Sequence, residues 1–157
     1  MKNTLKALGL HLIIVMLSLI YLVILVSAAP TIGKYANNSV IKGSIGISFI
    51  FLYIFAGTLL DINTNKKYDF LVGCIIGIIG ICLWVYTFSV TGRNLFEVPK
   101  ELKEYWILMN TYLYSFLVVN FPIKISSTPL LLLLVNFFPS ILMGCGLKYK
   151  RLKVIRR

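Results

Sequence analysis

The sequence predicts an all-α membrane protein, a bundle of four membrane-spanning helices with one further helix on the outer side. First, Asp, Glu, Lys and Arg are absent from four runs, residues 8–29, 43–60, 70–92 and 125–147. Each run is close to the ~20 apolar residues that a helix needs to cross a hydrocarbon core of ~30 Å. Second, only 13% of the 157 residues are charged, against about 25% in an average soluble domain. The loops are short, so we predict one integral membrane domain over residues 1–157.

The first three spans follow one another closely. The first covers residues 8–29, and we expect Pro30 to end it, because proline lacks the amide hydrogen that a helix interior uses. Turn-forming Gly, Asn and Ser residues then predict a loop over 31–42. The second span covers 43–60, and a polar loop separates it from the third, 70–88.

Residues 98–121 leave the topology open. Pro99 suits the first turn of a helix, and glutamates follow near the positive end of that helix. The apolar part, 105–121, has 17 residues, which is about 25 Å as a helix. We predict an amphipathic or re-entrant helix on the outer side, and a fifth span is the alternative. The last span covers 129–147, where Pro139 is expected to cause a kink.

The cations orient the predicted bundle. Lys2 and Lys6 precede the first span, and positive residues flanking spans favour the cytoplasmic side. Six of the sixteen cations follow the last span, namely Lys148, Lys150, Arg151, Lys153, Arg156 and Arg157. With four spans, both termini lie in the cytoplasm at a bacterial plasma membrane, and the basic tail contacts anionic lipid headgroups. Five spans with an external N-terminus fit the charges equally well. Because the cations flank spans, we expect no nucleic-acid partner.

Small residues form a stripe on the third span. Gly73, Gly77 and Gly80 recur at spacings of four and three, which places them on one helical face. Such a face lets two helix backbones approach closely, the main route to helix association in lipid. The stripe predicts helix packing, either against the chain's own helices or against another protein. Small residues on the second span are candidate neighbours, namely Gly43, Gly46, Ala56 and Gly57.

Few polar side chains lie at membrane depth. His11 is the only histidine and lies near the inner end of the first span. It is predicted to be neutral and hydrogen-bonded near the interface, with a proton-linked role as the alternative. Asn110, Asn120 and Asn136 lie in apolar surroundings, where amides either bond across helices or line a polar cavity.

The residues needed for catalysis are missing from the predicted spans. None contains Asp or Glu, and Cys74, Cys82 and Cys145 form no C-x-x-C motif. Intramembrane catalysis needs a nucleophile with a base, paired carboxylates or a metal cluster. We therefore predict a protein that is not an enzyme and uses no cofactor or metal.

The length, the four-span layout, the Ile-, Lys- and Asn-rich composition and the basic C-terminal tail together resemble the small membrane subunit of the Sae-type sensor-kinase system of Gram-positive bacteria. That resemblance implies an accessory protein that works with a lipoprotein partner on the spans of a histidine kinase. The leading hypothesis is an accessory or regulatory membrane protein that packs against another membrane protein. The alternatives are a small transporter, or its membrane subunit, and an immunity protein against a membrane-active peptide.

Overall fold

The computed structural model describes residues 2–36, 39–62, 66–113 and 128–155. These residues form helices and turns, with no strand among them, so the all-α prediction is confirmed. The α-helices are α1 (Lys2–Ala36), α2 (Ser39–Thr58), α3 (Cys74–Val90), α4 (Lys103–Met109), α5 (Pro129–Val135) and α6 (Phe138–Ile155). Short 3-10 turns cover Lys66–Leu71, Lys100–Leu102 and Asn110–Leu113.

Two stretches of helix are long and apolar enough to cross a membrane, Lys2–Tyr21 in α1 and Pro129–Ile155 over α5 and α6. The apolar parts of the other two predicted spans, Gly43–Thr58 and Cys74–Val90, are shorter. The large apolar side chains of all four point outward as well as inward. Ile13, Phe51, Ile78 and Ile141 are among those exposed.

The prediction that Pro30 ends the first helix is wrong. Helix α1 continues to Ala36, and α2 already begins at Ser39, so most of the predicted loop over 31–42 is helical. Proline removes one hydrogen bond, but its fixed φ of about −65° is itself helical. A helix can therefore pass through proline if it gives up that bond and bends away from the carbonyl four residues back.

The last predicted span is divided between α5 and α6. Thr128 caps the start of α5, where its hydroxyl accepts a hydrogen bond from the Leu131 amide at 3.4 Å. The division falls at Asn136 and Phe137, directly before Pro139. The Pro139 ring would clash with the carbonyl of Val135 in a continuous helix, which explains the predicted kink.

Helices α1 and α2 run antiparallel, and so do α3 and α6, whereas α2 and α6 run parallel, since Lys150 near the end of α6 contacts Leu60 just after α2. Asn3 of α1 contacts Asp61 just beyond the end of α2, while His11 lies beside Tyr53 further back along α2. Ser140 of α6 lies against Gly73 at the start of α3. The central core comes from α1, α2, α3 and α6 and consists of Ala7, Ile14, Phe49, Tyr53, Ala56, Leu60, Val72, Ile76, Met143 and Leu147.

We name the two ends of this bundle by their residues. The basic end holds Asn3, Leu60, Asp69 and Lys150. The distal end holds Thr91, Leu95 and Pro129, where a smaller core forms from Trp84, Trp106 and Leu132. Helix α3 stops at the distal end as predicted, because Gly92 and Arg93 take positive φ values of 92° and 59°, a conformation that ends helices.

Candidate functional site

The segment between α3 and α5 begins and finishes at one place. The Leu130 amide donates a hydrogen bond to the Leu95 carbonyl at 3.1 Å. Leu95 and Leu130 therefore lie side by side at the distal end of the bundle. This segment contains α4, the 3-10 turns Lys100–Leu102 and Asn110–Leu113, and the whole of the predicted outer helix 98–121, whose residues 114–121 lie outside the described part.

The described half of this segment reaches into the bundle. Trp106 and Asn110 are each 1% exposed. The Asn110 side-chain amide donates to the Trp106 carbonyl at 2.9 Å and to the Thr87 hydroxyl on α3 at 3.4 Å. Asn110 thus makes the interhelical bond predicted for it, and it joins the inserted segment to α3. The inserted segment is defined here as residues 99–113.

His11 connects the inserted segment to two further helices. Its side chain is fully buried, with Nδ1 2.9 Å from the Tyr53 hydroxyl and Nε2 3.2 Å from the Tyr112 carbonyl. A carbonyl only accepts, so Nε2 carries the proton and Nδ1 accepts from Tyr53. The ring of Tyr112 also meets the imidazole edge-on, with 4.6 Å between centroids. Three elements therefore meet at one neutral histidine.

The glycine stripe faces the chain's own last helix pair. A Cβ on Gly73 would lie 2.6 Å from the Cα of Ser140, and one on Gly77 would lie 3.4 Å from the Asn136 carbonyl oxygen. On Gly80 it would overlap the Asn136 side-chain oxygen, Oδ1. The three glycines are brought together as a groove for α5 and α6.

Asn136 is fully buried in this groove. Its amide nitrogen donates to the Leu132 carbonyl at 3.0 Å, within its own turn, rather than across helices. Its Oδ1 has no hydrogen-bond partner among the described residues and points at the backbone of Gly80, where a weak Cα–H···O contact can form. Asn120 lies outside the described residues.

The closest helix contact involves glycines that the stripe does not contain. A Cβ on Gly57 of α2 would overlap the Met143 carbonyl oxygen, and one on Gly146 of α6 would overlap that of Ile54. Gly57 was a predicted neighbour for the stripe, but it faces α6 instead of α3. Gly146 was missed because Gly144 and Gly146 are two apart, which is not the spacing of one helical face.

The basic end is held together by contacts from both outer helices to the residues after α2. The Asn3 side chain donates to the Asp61 carbonyl at 2.6 Å and accepts from the Asp61 amide at 3.1 Å. From the other side, the Lys150 ammonium donates to the Leu60 carbonyl at 2.6 Å. The start of α1 thus lies next to Asp61, and the last part of α6 lies next to the adjacent residue Leu60.

Arg151 and Asp69 form a buried two-point ion pair. The Arg151 nitrogens Nε and Nη2 lie 2.8 Å and 2.6 Å from the two Asp69 carboxylate oxygens. The arginine guanidinium is charged at all physiological pH values, so the pair joins a full positive charge to the Asp69 carboxylate. Two of the six predicted tail cations, Lys150 and Arg151, are therefore engaged within the chain. Lys148 and Lys153 are exposed, and Arg156 and Arg157 lie outside the described residues.

Among the described residues, no group of three or more His, Cys, Asp or Glu side chains could hold a metal ion. Cys74, Cys82 and Cys145 are free thiols on the outer surface of the bundle. Comparison with protein families, with curated proteins and with solved structures finds no match to this chain.

Proposed function

We propose that this chain is a non-enzymatic accessory or regulatory protein of the plasma membrane, with four spans, which acts by contacting another membrane protein. The observation that carries the proposal is the inserted segment. It enters at the distal end and is anchored by His11 and Asn110. Such a segment is a fixed part of the bundle with one surface turned outward.

The membrane assignment is supported by the outer surface of the bundle. Soluble monomers rarely expose contiguous apolar patches of more than a few hundred Å², whereas large apolar side chains are exposed along α1, α2, α3 and α6. The four-span topology is supported by the contact between Leu95 and Leu130. A fifth crossing between these residues would separate them by the membrane thickness, ~30 Å.

Two buried polar side chains, His11 and Asn110, support contact rather than transport. Asn110 is bonded to Thr87 and Trp106, and His11 is bonded to Tyr53 and Tyr112. Side chains that are used to hold helices together are not free to line a pathway. The expected mechanism is a population shift, in which contact through the inserted segment favours one of two conformations of the partner.

Site-specific photocrosslinking in the cells that express the chain tests this proposal. A photoreactive residue at Leu108, 68% exposed on α4, is expected to give one discrete protein adduct. The same residue at Ile78, 57% exposed on α3, is the control, because that position is expected to face lipid. Identical adduct patterns at the two positions, or no protein adduct at Leu108, would contradict the proposed contact.

Topology is tested separately with reporter fusions at residue 3 and after residue 155. Both reporters are expected on the cytoplasmic side, because the two helix ends lie next to Leu60 and Asp61. Reporters on opposite sides would refute the four-span arrangement.

A further inference from the structure

Helix α6 continues past the core. Leu147 is its last fully buried apolar residue, and the helix runs on to Ile155, about 12 Å further at 1.5 Å per residue. This extension carries the exposed cations Lys148 and Lys153 beside exposed Tyr149, Leu152 and Ile155. Such a surface suits neither water nor hydrocarbon alone. It matches the boundary between headgroups and acyl chains, where amphipathic helices bind.

The charges at the basic end leave an excess of cations on this extension. The two carboxylates described there are already paired, Asp61 with Lys6 at 3.5 Å and Asp69 with Arg151 at 2.6 Å. The Lys150 ammonium is directed to the Leu60 carbonyl. Lys148 and Lys153 are thus exposed lysines beside carboxylates that other cations already neutralise.

We infer that residues 148–155 of α6 are a docking surface for anionic phospholipid. Lys148 and Lys153 would donate to phosphate oxygens, while Tyr149, Leu152 and Ile155 would contact the upper acyl chains. The inference rests on the proposed membrane location but not on the proposed partner protein. It narrows the predicted basic tail to a helical surface that two lysines define.

The electrostatic part of this binding has a definite size. A lysine near an anionic membrane surface contributes ~1 kcal/mol, which is about five-fold in affinity. Removal of both lysines should weaken binding by about 25-fold. The attraction should also weaken in 1 M salt, where the screening length falls to about 3 Å.

The test uses the full chain in neutral detergent micelles, with its thermal unfolding midpoint followed as lipid is added. Phosphatidylglycerol should raise the midpoint at lower concentrations than phosphatidylcholine does. K148Q/K153Q should require about 25-fold more phosphatidylglycerol. K148R/K153R keeps both positive charges and should retain the wild-type response. The matched control is K100Q/K103Q, which removes two exposed lysines from the opposite end and should respond as the wild type does.

Three outcomes would overturn the inference. They are an equal response of the wild type to both lipids, an equal response of the two glutamine variants, and a response to inorganic phosphate at the same concentration. The last would assign the lysines to a free anion. The Leu108 crosslink should persist in K148Q/K153Q, so failure here is distinguishable from failure of the proposed function.

Discussion

The substitution Gly146→Ala tests the helix contact on which the bundle depends most. A Cβ at this position would overlap the Ile54 carbonyl oxygen and lie 2.9 Å from the Ile54 carbonyl carbon and 3.0 Å from Gly57 Cα. Carbon atoms that are not bonded lie ~3.5–4.0 Å apart. One methyl group would therefore force α2 and α6 apart by at least about 0.5–1 Å to relieve the two carbon contacts, and the closer carbonyl oxygen requires a larger shift. The atoms in the way belong to the backbone, so no rotamer change relieves the overlap.

The expected cost follows from this geometry. Overpacking of this kind destabilises proteins by ~1–3 kcal/mol. Gly9→Ala is the matched control, because nothing lies within 4 Å of a Cβ at Gly9 on α1. Both variants gain the same helix propensity, up to ~1 kcal/mol, so their difference isolates the overlap. Gly146→Ala should raise the unfolding equilibrium constant over that of Gly9→Ala by about 5- to 150-fold.

Unfolding in mixed micelles with a rising fraction of sodium dodecyl sulfate measures this difference. The fluorescence of buried Trp84 and Trp106 reports the transition. Gly57→Ala on the facing helix should cost a similar amount, because its Cβ would lie 2.9 Å from Met143 Cα. One separation of the helices relieves both overlaps, so the double variant should cost less than the sum. Unfolding of Gly146→Ala at the same detergent fraction as Gly9→Ala would refute the contact between α2 and α6.

Two further predictions concern the polar contacts. Arg151→Gln should lower the membrane abundance of the protein, because it leaves buried Asp69 without its cation, while Lys153→Gln at an exposed site should not. Reversal of the pair by D69R/R151D should recover part of the abundance, and equal abundance of the two glutamine variants would contradict a structural role for the pair. His11→Phe should remove the hydrogen bonds from His11 to the Tyr53 hydroxyl and to the Tyr112 carbonyl, at ~1–3 kcal/mol for a buried group left unsatisfied, and so loosen the inserted segment. With the three native cysteines replaced by Ala, a cysteine at half-buried Met109 should then react faster with a water-soluble maleimide, while Leu12→Phe at an exposed position leaves its rate unchanged. An unchanged rate in His11→Phe would mean that His11 does not anchor the segment.

The elements that sequence predicts well here depend on local chemistry. The turn after α3 follows from Gly92, and the division of the last span follows from Pro139, because each acts through its own backbone. Pro30 is predicted wrongly because the same proline chemistry permits two results. A proline can end a helix or remain inside it, and neighbouring contacts decide which occurs.

The candidate site depends on contacts between residues that are far apart in the chain, and a single sequence does not reveal such contacts. The stripe of Gly73, Gly77 and Gly80 predicts close packing, but it does not identify the helix that packs against it. His11 is expected near the interface with water or a carbonyl, and the carbonyl proves to be that of Tyr112, 101 residues away. The sequence predicts Arg151 to be a tail cation, whereas the fold places Asp69 beside it. In each case the residue type predicts the kind of contact, and topology supplies the partner.

The register of α6 along α2 is fixed by two contacts, each of which excludes a shifted register. Helices in lipid gain little from burying apolar side chains, since lipid is equally apolar, so Ile and Leu alone would allow α6 to slide along α2. A slip of one turn, ~5.4 Å, would move Gly146 away from Ile54 and bring a bulky or charged neighbour, Leu142 or Lys150, to that position. The same slip would separate Arg151 from Asp69. The glycine contact and the ion pair at the basic end therefore select one register independently. That agreement between unrelated chemistries is what allows so apolar a sequence to specify a single arrangement.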